Sequence, residues 1–171
     1  VACLQLVEKG LIALEDPIEL YFSDFKNQKV ISGSPANYQL IEKIRPVTIR
    51  DLLTHQAGIS AADEYPGFAF LFKQYNLDKP LNGSYASLAE EVTQIAKMPL
   101  MHQPGERFSY GLSTNVIGAL IEKISGLRLD HYLQKNIFAP LGMKDTYFYL
   151  PTNKQDRLVK LYAKNSDTSL A

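Results

Sequence analysis

The sequence predicts a mainly α-helical fold with one small β-hairpin. Three observations carry that expectation. Apolar residues recur at helical spacing, most cleanly at Ile117, Leu120, Ile121 and Ile124. Start and stop signals bracket such segments: Ser87 stands three residues before Glu90, and Gly126 follows Ser125. One pair of short β-type runs, Lys29–Ser32 and Tyr38–Lys43, flanks the turn-rich stretch Gly33-Ser34-Pro35-Ala36-Asn37.

Taken in order, the chain opens on a helix with Val1, Cys3, Leu4 and Val7 at helical spacing and Gly10 as its stop. Asp16-Pro17 reads as an N-cap followed by proline at the first helical position, so a short helix is expected from Pro17 to about Phe22. The hairpin follows. Thr48 caps a short helix through His55, with Asp51 at the capping-box position in its shorter form and Gln56-Ala57-Gly58 as its stop. The stretch from Ile59 to Gly83 is aromatic-rich and irregular, with a helical piece at roughly Phe68 to Tyr75. A connection that long inside a compact domain is commonly functional.

Ser87-Leu88-Ala89-Glu90 opens a helix to about Lys97, apolar at Leu88, Val92 and Ile95. Pro104-Gly105-Glu106-Arg107 is a turn, and Ser113-Thr114-Asn115 opens the best helix of the chain, closed by Gly126. A further helix is expected from Leu129 to Phe138, ended by Pro140-Leu141-Gly142. Thr146 to Tyr149 is a candidate strand, Leu158 to Tyr162 has no clear pattern, and Asn165 to Ala171 reads as a solvated end.

Composition narrows the function classes. Lys plus Arg number 18 and Asp plus Glu number 18, so there is no basic excess for a nucleic-acid or anionic-membrane surface. The single cysteine, Cys3, excludes an internal disulfide framework and a cysteine-rich zinc site. No apolar run reaches the length of a membrane span. Neither metal nor cofactor is expected: the histidines His55, His102 and His131 show no paired ligand spacing, and no phosphate-binding glycine loop is present.

Few residues point to chemistry. His55 sits at a helix end, where an imidazole can bond the last carbonyls, and His102 and His131 read as surface or boundary residues. The adjacent acid pairs Glu15-Asp16, Asp63-Glu64 and Glu90-Glu91 read as solvated faces. Tyr110 stands out, on a tight loop just before the strongest helix, whose positive end favours a phenolate. The alternative is an aromatic packing residue with its hydroxyl satisfied.

Several segments, in order, resemble the penicillin-recognising serine hydrolases: class C β-lactamases, DD-peptidases and their esterase relatives. Leu4 to Pro17 resembles the helix and turn that follow their Ser-x-x-Lys nucleophile motif. Thr48-Ile49-Arg50-Asp51-Leu52-Leu53-Thr54-His55-Gln56-Ala57-Gly58 is similar to their IRDLLTHTSG segment, and Pro104 to Tyr110 to the approach to their catalytic tyrosine. Asn115–Gly126 and Ile137–Met143 match the helices beyond it. The resemblance implies the helical region of the α/β β-lactamase/transpeptidase-like fold, whose complete form adds a flanked antiparallel sheet. It assigns Tyr110 as the general base of an acyl-enzyme mechanism, next to a lysine ammonium that favours the phenolate.

The resemblance also sets expectations about what is missing. In the family the Ser-x-x-Lys pair ends only a few residues before the position of Val1, and a Lys-Thr-Gly or His-x-Gly strand lies far beyond residue 171. The chain is expected to hold neither, to be a single helical-domain fragment over residues 1–171, and to be catalytically inert alone. Where β-lactamases carry Tyr-x-Asn, this chain has Tyr110-Gly111-Leu112, and Leu112 offers no amide to a substrate carbonyl. The triplet resembles that of the esterase and transesterase branch, which implies a small-molecule ester as substrate, with a β-lactam-hydrolysing or DD-peptidase-type enzyme as the alternative and Leu112 as the candidate substrate-contact residue. The aromatic residues Tyr65 to Tyr75 either wall an acyl pocket or pack in the core. Truncation would expose apolar surface and allow self-association. The rival class is a non-catalytic helical binding module.

Overall fold

A computed structural model describes residues 1–78 and 85–160. Its α-helices are α1 (Ala2–Glu8), α2 (Ile49–Leu53), α3 (Ala69–Gln74), α4 (Leu88–Lys97), α5 (Ser113–Ser125) and α6 (Leu129–Leu133). Strands β1 (Val30–Ser34) and β2 (Asn37–Ile41) form the antiparallel hairpin, in register from Val30↔Ile41 to Ser34↔Asn37. The mainly α fold with one hairpin is thus what the chain adopts.

The organising element is α5, which packs against α1, α2, α4 and α6. Its Val116, Ile117, Leu120 and Ile121 are buried, as the 3.6-residue period requires. Each such side chain contributes roughly 1.5–3 kcal/mol by leaving water. Gly126 ends the helix in the left-handed conformation at φ 69°. On the other side of the core, α4 contributes Val92, Ile95 and Ala96, and Phe25, Ile18 and Leu6 fill the space beneath. The hairpin is joined to this body at Leu100, whose amide donates to the Lys29 carbonyl (2.8 Å) and whose carbonyl accepts from the Ile31 amide (2.8 Å).

Local signals held where local hydrogen bonds decide. Thr48 caps α2 with Asp51 closing the reciprocal box, and Ser87 accepts from the Glu90 amide at the start of α4. The Glu90 carboxylate reaches one residue further back than expected, accepting from the Ala86 amide (2.9 Å).

Other expectations need correction. The helix expected from Pro17 is a 3₁₀ turn, Ile18–Leu20, with Pro17 still extended. The Asp16 carboxylate accepts from the Ala13 amide (2.7 Å) and the Tyr21 hydroxyl (2.6 Å), which holds it away from the cap. The helix expected over Leu129–Phe138 is α-helical only to Leu133 and continues as a π-helical turn, Gln134–Phe138. Thr146–Tyr149 forms no strand. No described sheet edge lies beside it, and its rings engage cations instead: the Lys154 ammonium sits 5.0 Å from the Tyr147 ring and the Arg128 guanidinium 5.8 Å from Tyr149. Leu158 to Lys160 are irregular, and Leu161, Tyr162 and the expected solvated end at 165–171 lie outside the described residues, as do Pro80 and Gly83.

Candidate active site

The candidate base, Tyr110, sits three residues before α5, and the residue is 58% exposed. Exposure alone does not make a site; what matters is how firmly the loop beneath it is held. Two segments cross here, His55–Ala61 after α2 and Met101–Leu112 before α5. They are laced by hydrogen bonds. The Ser109 amide donates to the His55 carbonyl, the Gly105 amide to the Gln56 carbonyl and the Met101 amide to the Gly58 carbonyl, each at 2.8 Å. The buried Ser60 hydroxyl donates to the Tyr110 carbonyl (3.1 Å) and accepts from the buried Ser109 hydroxyl (2.9 Å). Gly111 lies directly on Ser60 and Ala61: a Cβ there would approach the Ala61 nitrogen to 2.6 Å and overlap the Ser60 backbone. The backbone of Tyr110 is therefore clamped, while its phenol faces outward.

One ring face of that phenol is covered. The His55 imidazole lies 5.1 Å from the Tyr110 ring at an interplanar angle of 30°, and 5.7 Å from Phe108. The backbone of His55 is left-handed at φ 53°. Its Nδ1 is buried with no hydrogen-bond partner, so the helix-end carbonyl contact expected for it is not made by that nitrogen. Burial lowers the His55 pKa, which favours the neutral imidazole.

The remaining candidates are placed elsewhere. Leu112 is 5% exposed and packs in the core beneath the loop, so its side chain presents no surface to a substrate here. His131 is exposed, as expected, but His102 is only 2% exposed, with Nδ1 beside the Gln103 carbonyl at 2.9 Å. Glu91 departs from the solvated-face reading as well. It is 5% exposed and both its oxygens accept from the Asn115 amide at 3.0 Å, a contact between α4 and α5. Of the aromatic segment, Phe72 is fully buried, whereas Tyr65 and Phe68 line a cavity with Ile31, His102 and Arg107 that does not include Tyr110. Burial pushes the Cys3 thiol up, against the nucleophilic thiolate.

The expectation that no Ser-x-x-Lys occurs is also corrected, since Ser23-Asp24-Phe25-Lys26 has that spacing. It lies on the 3₁₀ turn Ser23–Asn27, after α1 rather than before it, with Ser23 and Lys26 both exposed. The adjoining Phe22 ring lies 5.1 Å from the Lys123 ammonium near the far end of α5. Lys123 is ten residues along that helix from Ser113, roughly 15 Å of axis at 1.5 Å per residue. The pair is therefore at the opposite end of α5 from Tyr110 and does not stand in for the family's nucleophile. Among the described residues no group of acidic, histidine or cysteine side chains is placed to hold a metal, and no helix is long and apolar enough to cross a membrane.

The sequence pattern of the β-lactamase family matches residues 1–171. The chain belongs to the β-lactamase family. Within it, monacolin J acid methylbutanoyltransferase of Aspergillus terreus is 32% identical over 154 residues, which is 88% of this chain and 35% of that protein. Lovastatin esterase of Penicillium rubens is 31% identical over 167 residues, 96% of this chain and 40% of that protein. The solved structure of simvastatin synthase from Aspergillus terreus superposes with a TM-score of 0.79 at 30% identity, covering 99% of this chain and 42% of that one. The chain thus spans well under half the length of these β-lactamase-family relatives. The helix-rich arrangement with its hairpin is the corresponding part of the β-lactamase fold.

Proposed function

We propose that this chain supplies the general base, Tyr110, of a serine enzyme that transfers acyl groups from carboxylic esters to water or to a second alcohol. The observation that carries the reading is the half-exposed phenol on a backbone clamped by Ser60, Ser109 and Gly111. A base must be held in place and still reach its proton, and this arrangement meets both needs. The relatives named as a methylbutanoyltransferase and an esterase support ester chemistry. The Tyr110-Gly111-Leu112 triplet supports it too, since the buried Leu112 side chain gives a lactam carbonyl no amide to bond.

In this reading the serine and lysine are contributed from outside these 171 residues, as is the strand that completes the cleft. The Tyr110 oxygen accepts the serine hydroxyl proton as the serine oxygen bonds the ester carbonyl carbon. When the carbon–alkoxy bond breaks, the proton passes to the departing alkoxide and an acyl-serine remains. Water or an acceptor alcohol then gives its proton to Tyr110 and attacks the acyl carbon, and the serine takes that proton as it leaves. The 171-residue chain alone is inert in this scheme.

The test uses the full protein with a short-chain nitrophenyl ester and a chromogenic cephalosporin. Tyr110→Phe is expected to lower ester kcat/KM by about 10²–10⁴-fold, the range that general acid–base catalysis supplies. A change of under about threefold would sink the assignment. Cephalosporin turnover well above ester turnover would overturn the substrate class. Ester turnover by the 171-residue chain above its own Tyr110→Phe control would overturn the inert-alone claim.

A further inference from the structure

Resting on the reading of Tyr110 as base, we propose that His55 is a positioning residue: its ring is the platform that fixes the plane of the Tyr110 phenol and so the direction of its oxygen. Hydrogen bonds clamp the backbone around Tyr110, but none of them reaches the phenol ring, and the residue is more than half exposed. An exposed tyrosine ring otherwise samples its rotamers on a fast timescale. The surface found against the Tyr110 ring is the His55 imidazole, 5.1 Å away and inclined by only 30°. The centroid separation lies within the roughly 4.5–7 Å over which aromatic pairs attract.

His55 closes α2 as the residue after its C-cap, its amide donating to the Leu52 carbonyl (3.3 Å) and the Gln56 amide to the Asp51 carbonyl (2.7 Å), and two features beyond that turn suit a platform. The turn itself is left-handed at φ 53°, a conformation that costs a non-glycine residue roughly 1–2 kcal/mol. A turn there needing only to reverse direction would be better served by glycine or asparagine. The side chain does not recover that cost through Nδ1, which is buried without a partner. It faces two rings, Phe108 at 5.7 Å and Tyr110 at 5.1 Å. Finally, the His55 carbonyl accepts the Ser109 amide at 2.8 Å, so platform and phenol are referenced to the same piece of backbone.

Catalysis is sensitive to such placement, since a displacement of about 1 Å costs on the order of 10²-fold in rate. The test compares His55→Asn, which tolerates the left-handed backbone but removes the ring, with His55→Phe, which keeps a ring for stacking. Both are made in the full protein with 3-fluorotyrosine incorporated, and the Tyr110 ¹⁹F resonance is assigned through Tyr110→Phe. His55→Asn is expected to move that resonance toward its unfolded position. It should lower ester kcat by roughly 10–100-fold with KM changed by less than about threefold, at a nearly unchanged thermal midpoint. His55→Phe is expected to restore both the resonance and most of kcat.

Wild-type kcat and an unmoved Tyr110 resonance in His55→Asn would overturn the proposal, and so would a folded His55→Phe as slow as His55→Asn. If His55→Asn lowers the thermal midpoint substantially, His55→Phe against wild type decides: near-wild-type kcat supports the platform, and a slow folded enzyme overturns it. The reading of Tyr110 fails separately. Tyr110→Phe with wild-type kcat would overturn the base, and with it any role for His55 in the reaction, even where the ¹⁹F shift shows the stack.

Discussion

Gly111→Ala is expected to destabilise the chain by about 3 kcal/mol, at the upper end of what overpacking costs. The reason lies in what the new methyl group meets. Its neighbours are the backbone of Ser60 and the nitrogen of Ala61, the latter at 2.6 Å, and not the end of a side chain that can rotate away. Relief requires moving one of two segments, and each is pinned. Ser60 is tied to both Ser109 and the Tyr110 carbonyl, and the Ser109 amide is tied to His55. The variant must lengthen or break some of these buried bonds, which adds to the steric cost. For a domain of this size, about 3 kcal/mol corresponds to a fall in melting temperature of roughly 6–12 °C. Gly126→Ala is the control. Nothing lies within 4 Å of a Cβ at Gly126, so only the left-handed backbone at φ 69° is penalised, by roughly 1–2 kcal/mol. Urea denaturation of both variants at unchanged m-value measures the difference. Equal losses would show that the Tyr110 loop yields easily and that its clamp is weak.

The clamp also shows where sequence reasoning reaches and where it stops. The capping box at Thr48 and Asp51 and the glycine stop at Gly126 were legible because each is settled within a few residues. The apolar face of α5 was legible because its period states its burial. Tyr110 was visible as a candidate from its place before α5, and its proposed role came from the ordered resemblance. The parts that hold it were not visible. His55 and Tyr110, or Ser60 and Ser109, are about fifty positions apart, and no local pattern says that they touch. The burial of His102 and Glu91 likewise follows from tertiary neighbours, for Glu91 an asparagine on another helix. Thr146–Tyr149 failed for the opposite reason: its β-type composition was read correctly, but no described edge pairs with it.

Asp51→Ala is expected to cost about 3 kcal/mol, and Arg45→Ala to shift acid unfolding to higher pH. Asp51 is 4% exposed and serves two structures at once. Within α2 it accepts from the Thr48 amide (2.9 Å), completing the capping box, an interaction worth about 1 kcal/mol. Across the chain it accepts from Nη1 and Nη2 of Arg45, at 2.6 and 2.9 Å. Breaking a buried pair typically costs about 3–5 kcal/mol, and the figure here is set at the lower end because Arg45 is 40% exposed and regains water when released. Arg45 packs under Gly105, whose φ of 82° turns the chain into the segment leading to Tyr110. On the Asp51 carboxyl, burial is the largest influence and pushes the pKa up, but the bonds from Arg45 and Thr48 together outweigh it and leave the pKa below the ordinary aspartate value. A carboxyl whose folded pKa lies below its unfolded one stabilises the fold above the unfolded value, near 3.9. That stabilisation is lost as pH falls through the folded value. Removing Arg45 leaves burial opposed only by Thr48, so Asp51 protonates at higher pH and the acid-unfolding midpoint rises with it. Asp51→Ala removes this contribution, so its stability should fall less steeply than that of wild type below about pH 4. Chemical denaturation at a series of pH values separates the cases. An Arg45→Ala midpoint at or below the wild-type value would show that the guanidinium is not what holds Asp51 charged.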